Sequence, residues 1–156
     1  MPAETLVRDV MTKHVNTLRP DQSILDAADV LAAHRYGAMP VVDESNRIVG
    51  LLRDEDLIVS EARVHVPTYI NFLSATIPIP SSIHHVEEDL RKFAGSTVGE
   101  VMEDDPVTVR PDATVEDVAT LMYDKEVTHV PVVDADNKVV GIIARGDIVR
   151  DVSRST

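Results

Sequence analysis

The chain has 156 residues, 44% of them hydrophobic and 27% charged, ordinary globular values that suggest neither disorder nor a membrane span. Its 27 acidic against 15 basic residues give a net charge of −12, which argues against a nucleic acid as the main partner, because phosphate-backbone binding is driven by Lys and Arg; a small anionic ligand stays open. The absence of cysteine excludes a disulfide framework, a thiolate zinc site and a cysteine nucleophile, and with no basic-then-apolar signal segment at its start the chain is expected to be cytoplasmic.

In chain order, Leu6, Val7, Val10 and Met11 recur at helical spacing and predict a short first helix ending near Thr12. Val15 to Leu18 is a β-prone run stopped by Arg19-Pro20-Asp21, since proline lacks a ladder donor and restrains its predecessor. Ser23 with Asp26 reads as an N-cap and a first-turn carboxylate, opening a helix over 24–34 whose apolar face is Ile24, Ala27, Ala28 and Leu31, with Gly37 at its stop. Residues 39–43 read as a buried strand, 44–46 as a turn and 47–52 as a second strand, making a hairpin. Asp54, Glu55 and Asp56 suit a helix start, continued over 57–62.

The same grammar returns 91 residues later. Pro40 lies on Pro131, Gly50 on Gly141 and Asp56 on Asp147, and residues 6–59 lie on 97–150 without a gap, 17 of the 54 pairs being identical. In the second copy Thr114 and Asp117 form the cap, Val115, Val118, Ala119 and Met122 the apolar face, and Asp136-Asn137 the hairpin turn. An internal repeat of this length outranks local signals. Units of 54 residues bury too little surface to be comfortable alone, so the two copies are expected to share one core. Repeat 1 is placed at 1–62, a connector at 63–96 and repeat 2 at 97–156. In the connector, 64–67 and 69–73 read as extended and 77–80 as stiff and non-helical because of its prolines; Ile83, Val86, Leu90 and Phe93 give one apolar face of a helix before Gly95.

The ordered set of Pro-Asp before the long helix, the Val-Pro-Val-Val-Asp strand, the Asn-Arg/Lys turn and Gly with Asp six residues on, seen twice in register, resembles the CBS domain, the cystathionine β-synthase type repeat, and the two copies resemble a CBS pair. The resemblance covers nearly everything outside 60–96. It implies an α/β (α+β) fold of two tandem βαββα repeats related by a pseudo-twofold axis, with two clefts between them. It also implies a regulatory, ligand-sensing module rather than an enzyme, with no required cofactor and an adenosine-containing ligand such as AMP, ADP, ATP or S-adenosylmethionine. A homodimer and a regulated protein partner are the further partners it implies.

By the same resemblance, ribose hydroxyls are held by the aspartate of Gly-x-x-Thr/Ser-x-x-Asp, here Asp56 and Asp147; an ionised carboxylate only accepts hydrogen bonds, which suits a diol that donates two. The Thr/Ser position has become Arg53 and Ala144. Arginine serves phosphates through its planar fork, which nominates Arg53 and Arg145. The opposite walls are expected from His14, Asn16, Tyr36 and Gly37 for one cleft, and from Asp105, Val107, Val127 and Thr128 for the other, Tyr36 lying against a base. The Asp147 cleft is expected to be the better one: Gly146 leaves room at the helix N-terminus, and Lys13 and His14 face it, whereas Asp56 is surrounded by Asp54, Glu55 and Asp105.

Each of these residues also has a purely structural reading, as a helix cap, a solvated charge or a half-buried ring, and the lost Thr/Ser positions favour a ligand-free dimerisation or partner-docking module as the alternative. A metal site of His84 and Glu88 with His85 or His65 lacks recognised ligand spacing. With no Walker-type loop, nucleophile elbow or triad order, catalysis is not expected.

Overall fold

The structure, a computed structural model, describes residues 4–57, 69–72, 75–78 and 95–154. Its elements are α1 (Val7–Val10), α2 (Ile24–His34), β1 (Ala38–Val42), β2 (Ile48–Arg53), β3 (Tyr69–Phe72), β4 (Ala75–Pro78), α3 (Val98–Val101), β5 (Glu103–Asp104), α4 (Val115–Lys125), β6 (His129–Val133), β7 (Val139–Ala144) and α5 (Arg145–Arg154). A helical turn at 54–57 stands in repeat 1 where α5 begins in repeat 2. The expected helix over 83–93 and the histidines at 65, 84 and 85 lie outside the described residues.

The two long helices form where their caps predict. Ser23 accepts a hydrogen bond from the Leu25 amide, and Thr114 with Asp117 makes a reciprocal capping box, each satisfying donors the first turn leaves open. Both end in a left-handed cap four residues after the last buried position, Arg35 at φ 54° after Leu31 and Glu126 at φ 55° after Met122, so the stop precedes Gly37 rather than using it. Each hairpin is antiparallel with the same irregularity, between Val41 and Val42 and between Val132 and Val133. Each turns through a left-handed asparagine, Asn46 or Asn137, a residue that tolerates this conformation. In each turn an aspartate pins the loop: Asp43 Oδ1 accepts from the amides of Ser45 and Arg47, and Asp134 Oδ1 from those of Asp136 and Lys138.

The run 15–18 does not become a full strand. Leu18 alone bridges β1, its amide donating to Pro40 O and its carbonyl accepting from the Val42 amide, and Val109 does the same with Pro131 and Val133.

Among the described residues the buried side chains gather in two principal clusters, and the lead segment of each repeat completes the other's. Val98 is fully buried with Leu18, Ile24, Leu31, Met39, Val41 and Leu52, and Val7 is fully buried with Val118, Met122, Val130, Val132 and Ile143. The exchange is written in backbone hydrogen bonds. The Val7 amide donates to Ala113 O and the Val115 amide to Thr5 O, while on the other side Val98 donates to Gln22 O and Ile24 to Ser96 O. Thr12 pairs with Ile142, and β5 adds to the edge of β2. Each repeat's cluster thus includes a segment carried by the other, which adds buried surface that a unit of this size lacks alone. A third small cluster, Val42, Ile48, Val133 and Val139, joins the hairpins, whose tips exchange hydrogen bonds from Ile48 to Asn137 O and from Val139 to Asn46 O.

Candidate functional site

The exchange leaves a cavity between the repeats, with a volume of about 180 Å³. The lead segment of repeat 1 supplies Thr12, His14, Val15 and Asn16; the end of α2 and β1 supply Arg35, Tyr36, Gly37, Ala38 and Met39; repeat 2 supplies His129, Ile142, Ala144 and Asp147. Six residues nominated from the sequence, His14, Asn16, Tyr36, Gly37, Ala144 and Asp147, thus meet in one place.

Asp147 is 7% exposed. Its Oδ2 accepts the Ala144 amide at 2.8 Å and its Oδ1 accepts from Arg150 Nη2, so the carboxylate is fixed where β7 passes into α5. Arg150 is largely exposed, its side chain 65% accessible, and can leave Asp147 without uncovering a core. Tyr36 is held on two sides: its hydroxyl accepts from Asn16 Nδ2 at 2.9 Å, and its ring stacks on His34 with centroids 5.1 Å apart and planes 13° apart. The cavity therefore offers acceptors at one end, an apolar wall of Val15, Ala38, Met39 and Ile142, an oriented aromatic ring, and the exposed His14 imidazole and Arg35 guanidinium at its rim.

Seven of the thirteen lining residues were not among those nominated from the sequence, and two of the seven, His129 and Arg35, carry ionisable side chains. His129 occupies the position of Ala38 in the other repeat, an imidazole in place of a methyl group at the start of a strand that keeps Pro-Val-Val in both copies. Its imidazole lies over Gly37, where a Cβ would come within 2.7 Å of both Cε1 and Nε2, and Thr128 Oγ1 is 2.9 Å from its Nδ1. Burial lowers the His129 pKa below the ordinary 6.5; Asp54, Asp147 and Glu55 pull it upward and Arg53 adds to the lowering, so the ring is neutral at pH 7. Arg35, the left-handed cap of α2, is the second; Glu126 stands in its place in repeat 2.

Other nominated residues lie elsewhere. Arg145, Val127 and Thr128 border a wider groove of about 760 Å³ on the outer side of α4 and α5, with Tyr123, Asp124 and Glu126; the cation beside the Asp147 cavity is Arg35 and not Arg145, because α5 carries residue 145 away from the repeat interface. Lys13 is exposed and does not line the cavity, and Gly146 is exposed at the start of α5. Val107 packs against the repeat 2 core, and Asp105 is an exposed left-handed residue.

The surroundings of Asp56 differ. Arg53 reaches Asp56 from its Nη2 to Oδ1 at 3.1 Å and from its Nε to Oδ2 at 3.4 Å, while the Arg53 amide donates to Oδ2 at 3.0 Å. Arg53 also pairs with Glu55 at 2.9 Å and with Glu103 at 3.9 Å. Burial works against the charge of Arg53, but the hydrogen bond and attraction of Asp56, with Glu103 and Glu55, outweigh it and raise its pKa.

Among the described residues no cluster of three metal-ligating side chains occurs, and no helix is long and apolar enough to cross a membrane.

Against known proteins, the CBS domain family matches residues 7–62 and 98–154. The chloroplastic CBS domain-containing protein CBSX2 of Arabidopsis thaliana is 30% identical over 149 residues, covering 92% of this chain and 62% of its own length, so the chain spans about 62% of that relative. The crystal structure of CBSX2 in complex with AMP superposes with a TM-score of 0.73 at 28% identity, covering 96% of this chain and 97% of that one. The CBS domain pair of protein MJ0100, in complex with 5′-methylthioadenosine and S-adenosyl-L-methionine, gives a TM-score of 0.75 at 27% identity, covering 98% and 99%. With two matched repeats, the reciprocal core exchange and the doubled strand motif, the chain belongs to the CBS domain family and folds as a CBS pair.

Proposed function

We propose that this chain is a regulatory module that binds an adenosine-containing nucleotide in the cavity closed by Asp147. The observation that carries the reading is the convergence of a buried, fixed carboxylate with an apolar wall, an oriented tyrosine and a rim arginine in one interrepeat cavity. A carboxylate accepts from a ribose diol, the apolar wall suits a base, and Arg35 attracts a phosphate at the rim, with the His14 ring as a further hydrogen-bonding group. At about 180 Å³ the cavity is smaller than the ~300–1,000 Å³ usual for ligand sites, so the sugar and base edge enter it and the phosphate stays outside. The ligands named for CBSX2 and MJ0100 share the adenosine group, which supports that class; between AMP, ADP, ATP and S-adenosylmethionine, the rim arginine Arg35 favours an anion.

The module acts in the cytoplasm as a homodimer that relays ligand binding to a protein partner and carries out no catalysis itself. The outer groove of α4 and α5, where Tyr123 is 85% exposed, is the contact face, with Val149 and Val152 exposed elsewhere on α5: exposed apolar area of this kind marks a protein surface, and the groove's Asp124 and Glu126 suit a nucleotide poorly. Native mass spectrometry of the purified protein tests both parts. A dimer carrying an adenine nucleotide agrees with the reading; a monomer that takes up none when AMP or ATP is added contradicts it and favours the ligand-free docking module.

A further inference from the structure

We infer that the cleft closed by Asp56 is sealed by the chain's own Arg53, which serves there as a built-in occupant, so that each chain takes one nucleotide and not two. The inference rests on the reading of the Asp147 cavity, but concerns the opposite side of the pseudo-twofold axis.

Offsetting the Asp147 cavity by 91 residues turns its Ala144 into Arg53 and its Thr12 into Glu103. In the Asp147 cavity these two positions are small and uncharged and line open space. On the other side they are an arginine and a glutamate whose Nε and Oε2 lie 3.9 Å apart, a bridge from repeat 1 to the lead segment of repeat 2 across the place a ligand would enter. The fork of Arg53 meanwhile donates to both oxygens of Asp56. The carboxylate that would accept two ribose hydroxyls thus already has charged donors on both oxygens, and charge-assisted bonds of this kind are about twice as strong as neutral ones. Asp147 also has an arginine partner, but Arg150 is largely exposed, whereas the side chain of Arg53 is 28% accessible and tied to three carboxylates. Displacing it would take a shared cation from Glu55, Asp56 and Glu103 and set their charges against an anionic ligand.

Arg53 is accordingly a specificity-determining residue. It converts a ligand site into an interrepeat clamp, and its place at the end of β2, beside the edge on which β5 pairs, makes the clamp part of the sheet that carries the exchanged segment.

The test is to give this cleft the residues of its counterpart, with Arg53→Ala and Glu103→Thr together, and to compare calorimetric stoichiometry with that of the unmutated protein. Adenosine is the main probe, since it needs no cation, and AMP the second. A gain of one adenosine site per chain over the unmutated protein is expected. An unmutated protein that already binds two per chain, or a variant of unchanged circular dichroism and oligomeric state that gains none, overturns the inference. The comparison is a difference, so it decides the point whatever the Asp147 cavity itself binds. A melting temperature for Arg53→Ala alone that lies below that of the unmutated protein is the accompanying sign of a broken clamp.

Discussion

His129 lies with its imidazole edge over Gly37, so close that a Cβ on residue 37 would sit 2.7 Å from both Cε1 and Nε2. The two residues belong to different repeats and meet on the wall of the Asp147 cavity. A valine at position 37 has no room unless the ring turns away, and the space next to it is the cavity. Gly37→Val is therefore expected to lower AMP affinity by at least about tenfold while reducing stability modestly, since a side chain can move where backbone cannot. Isothermal titration together with thermal melting checks this; normal affinity in the variant would show that the ring has another place to go.

Gly141 is a different case. A Cβ there would lie 2.9 Å from the carbonyl oxygen of Thr12 and 2.5 Å from Met11 Sδ, and Gly50 stands in the same relation to the Glu103 carbonyl, also at 2.9 Å. In both, the obstacle is the backbone of the exchanged lead segment, hydrogen-bonded in place by Thr12 and Ile142 on one side. Gly141→Val should cost about 1–3 kcal/mol, and hydrogen exchange should quicken at the 7–12 segment before the rest of the chain. An unchanged melting temperature would mean that the close approach is incidental.

Acid should weaken the protein through His129. A histidine whose folded pKa is depressed holds fewer protons when folded than when unfolded, so its contribution is complete above the ordinary value of 6.5 and is lost as pH falls through the lower folded value. His129→Gln removes that dependence. Melting temperatures measured from about pH 7.5 down to about pH 5 should fall more steeply for the unmutated protein than for the variant; parallel curves would show that the ring is not desolvated. The same ring gains a reason to protonate when an anion arrives at the rim, so AMP binding below neutral pH should take up protons, seen as a dependence of the titration heat on the buffer.

For assembly, Tyr123 is the side chain to test. An aromatic ring that is 85% exposed on the outer groove of α4 and α5 is an anchor of the kind that dominates interfaces. Tyr123→Ala should raise the dimer dissociation constant by about tenfold or more with little effect on melting of the monomer. Sedimentation at tens of micromolar, the order at which a moderate interface of this kind associates, measures it, and an unmutated protein that is monomeric there removes the dimer from the account.

Much of this was legible in the chain itself. The 91-residue offset holds without a gap, so caps, strands, turns and the Gly-Asp spacing reinforced one another, and the family followed. The exchanged lead segments were not legible. Periodicity places Val7 and Val98 on apolar helix faces but cannot say which repeat those faces meet, since that depends on contacts far apart in sequence, such as Val7 with Ala113 and Val98 with Gln22. The cavity was read in part for the same reason. Asp147, Ala144, His14, Asn16, Tyr36 and Gly37 are adjacent to matched motif positions, whereas Arg145 looked like a phosphate ligand from proximity in sequence, and the turn into α5 directs it to the outer groove. His129 and Arg35 are each next in sequence to a nominated residue, Thr128 and Tyr36, and spacing alone does not say which neighbours turn into the cavity.

The claim that one nucleotide binds against Asp147 is tested most directly by titrating AMP calorimetrically into the unmutated protein and into Asp147→Ala. Without the buried carboxylate the ribose loses charged acceptors, a change that should cost at least about tenfold in affinity. The account predicts one site per chain in the unmutated protein and its loss or strong weakening in Asp147→Ala. Undiminished binding in that variant, or no heat with AMP in the unmutated protein, would contradict it.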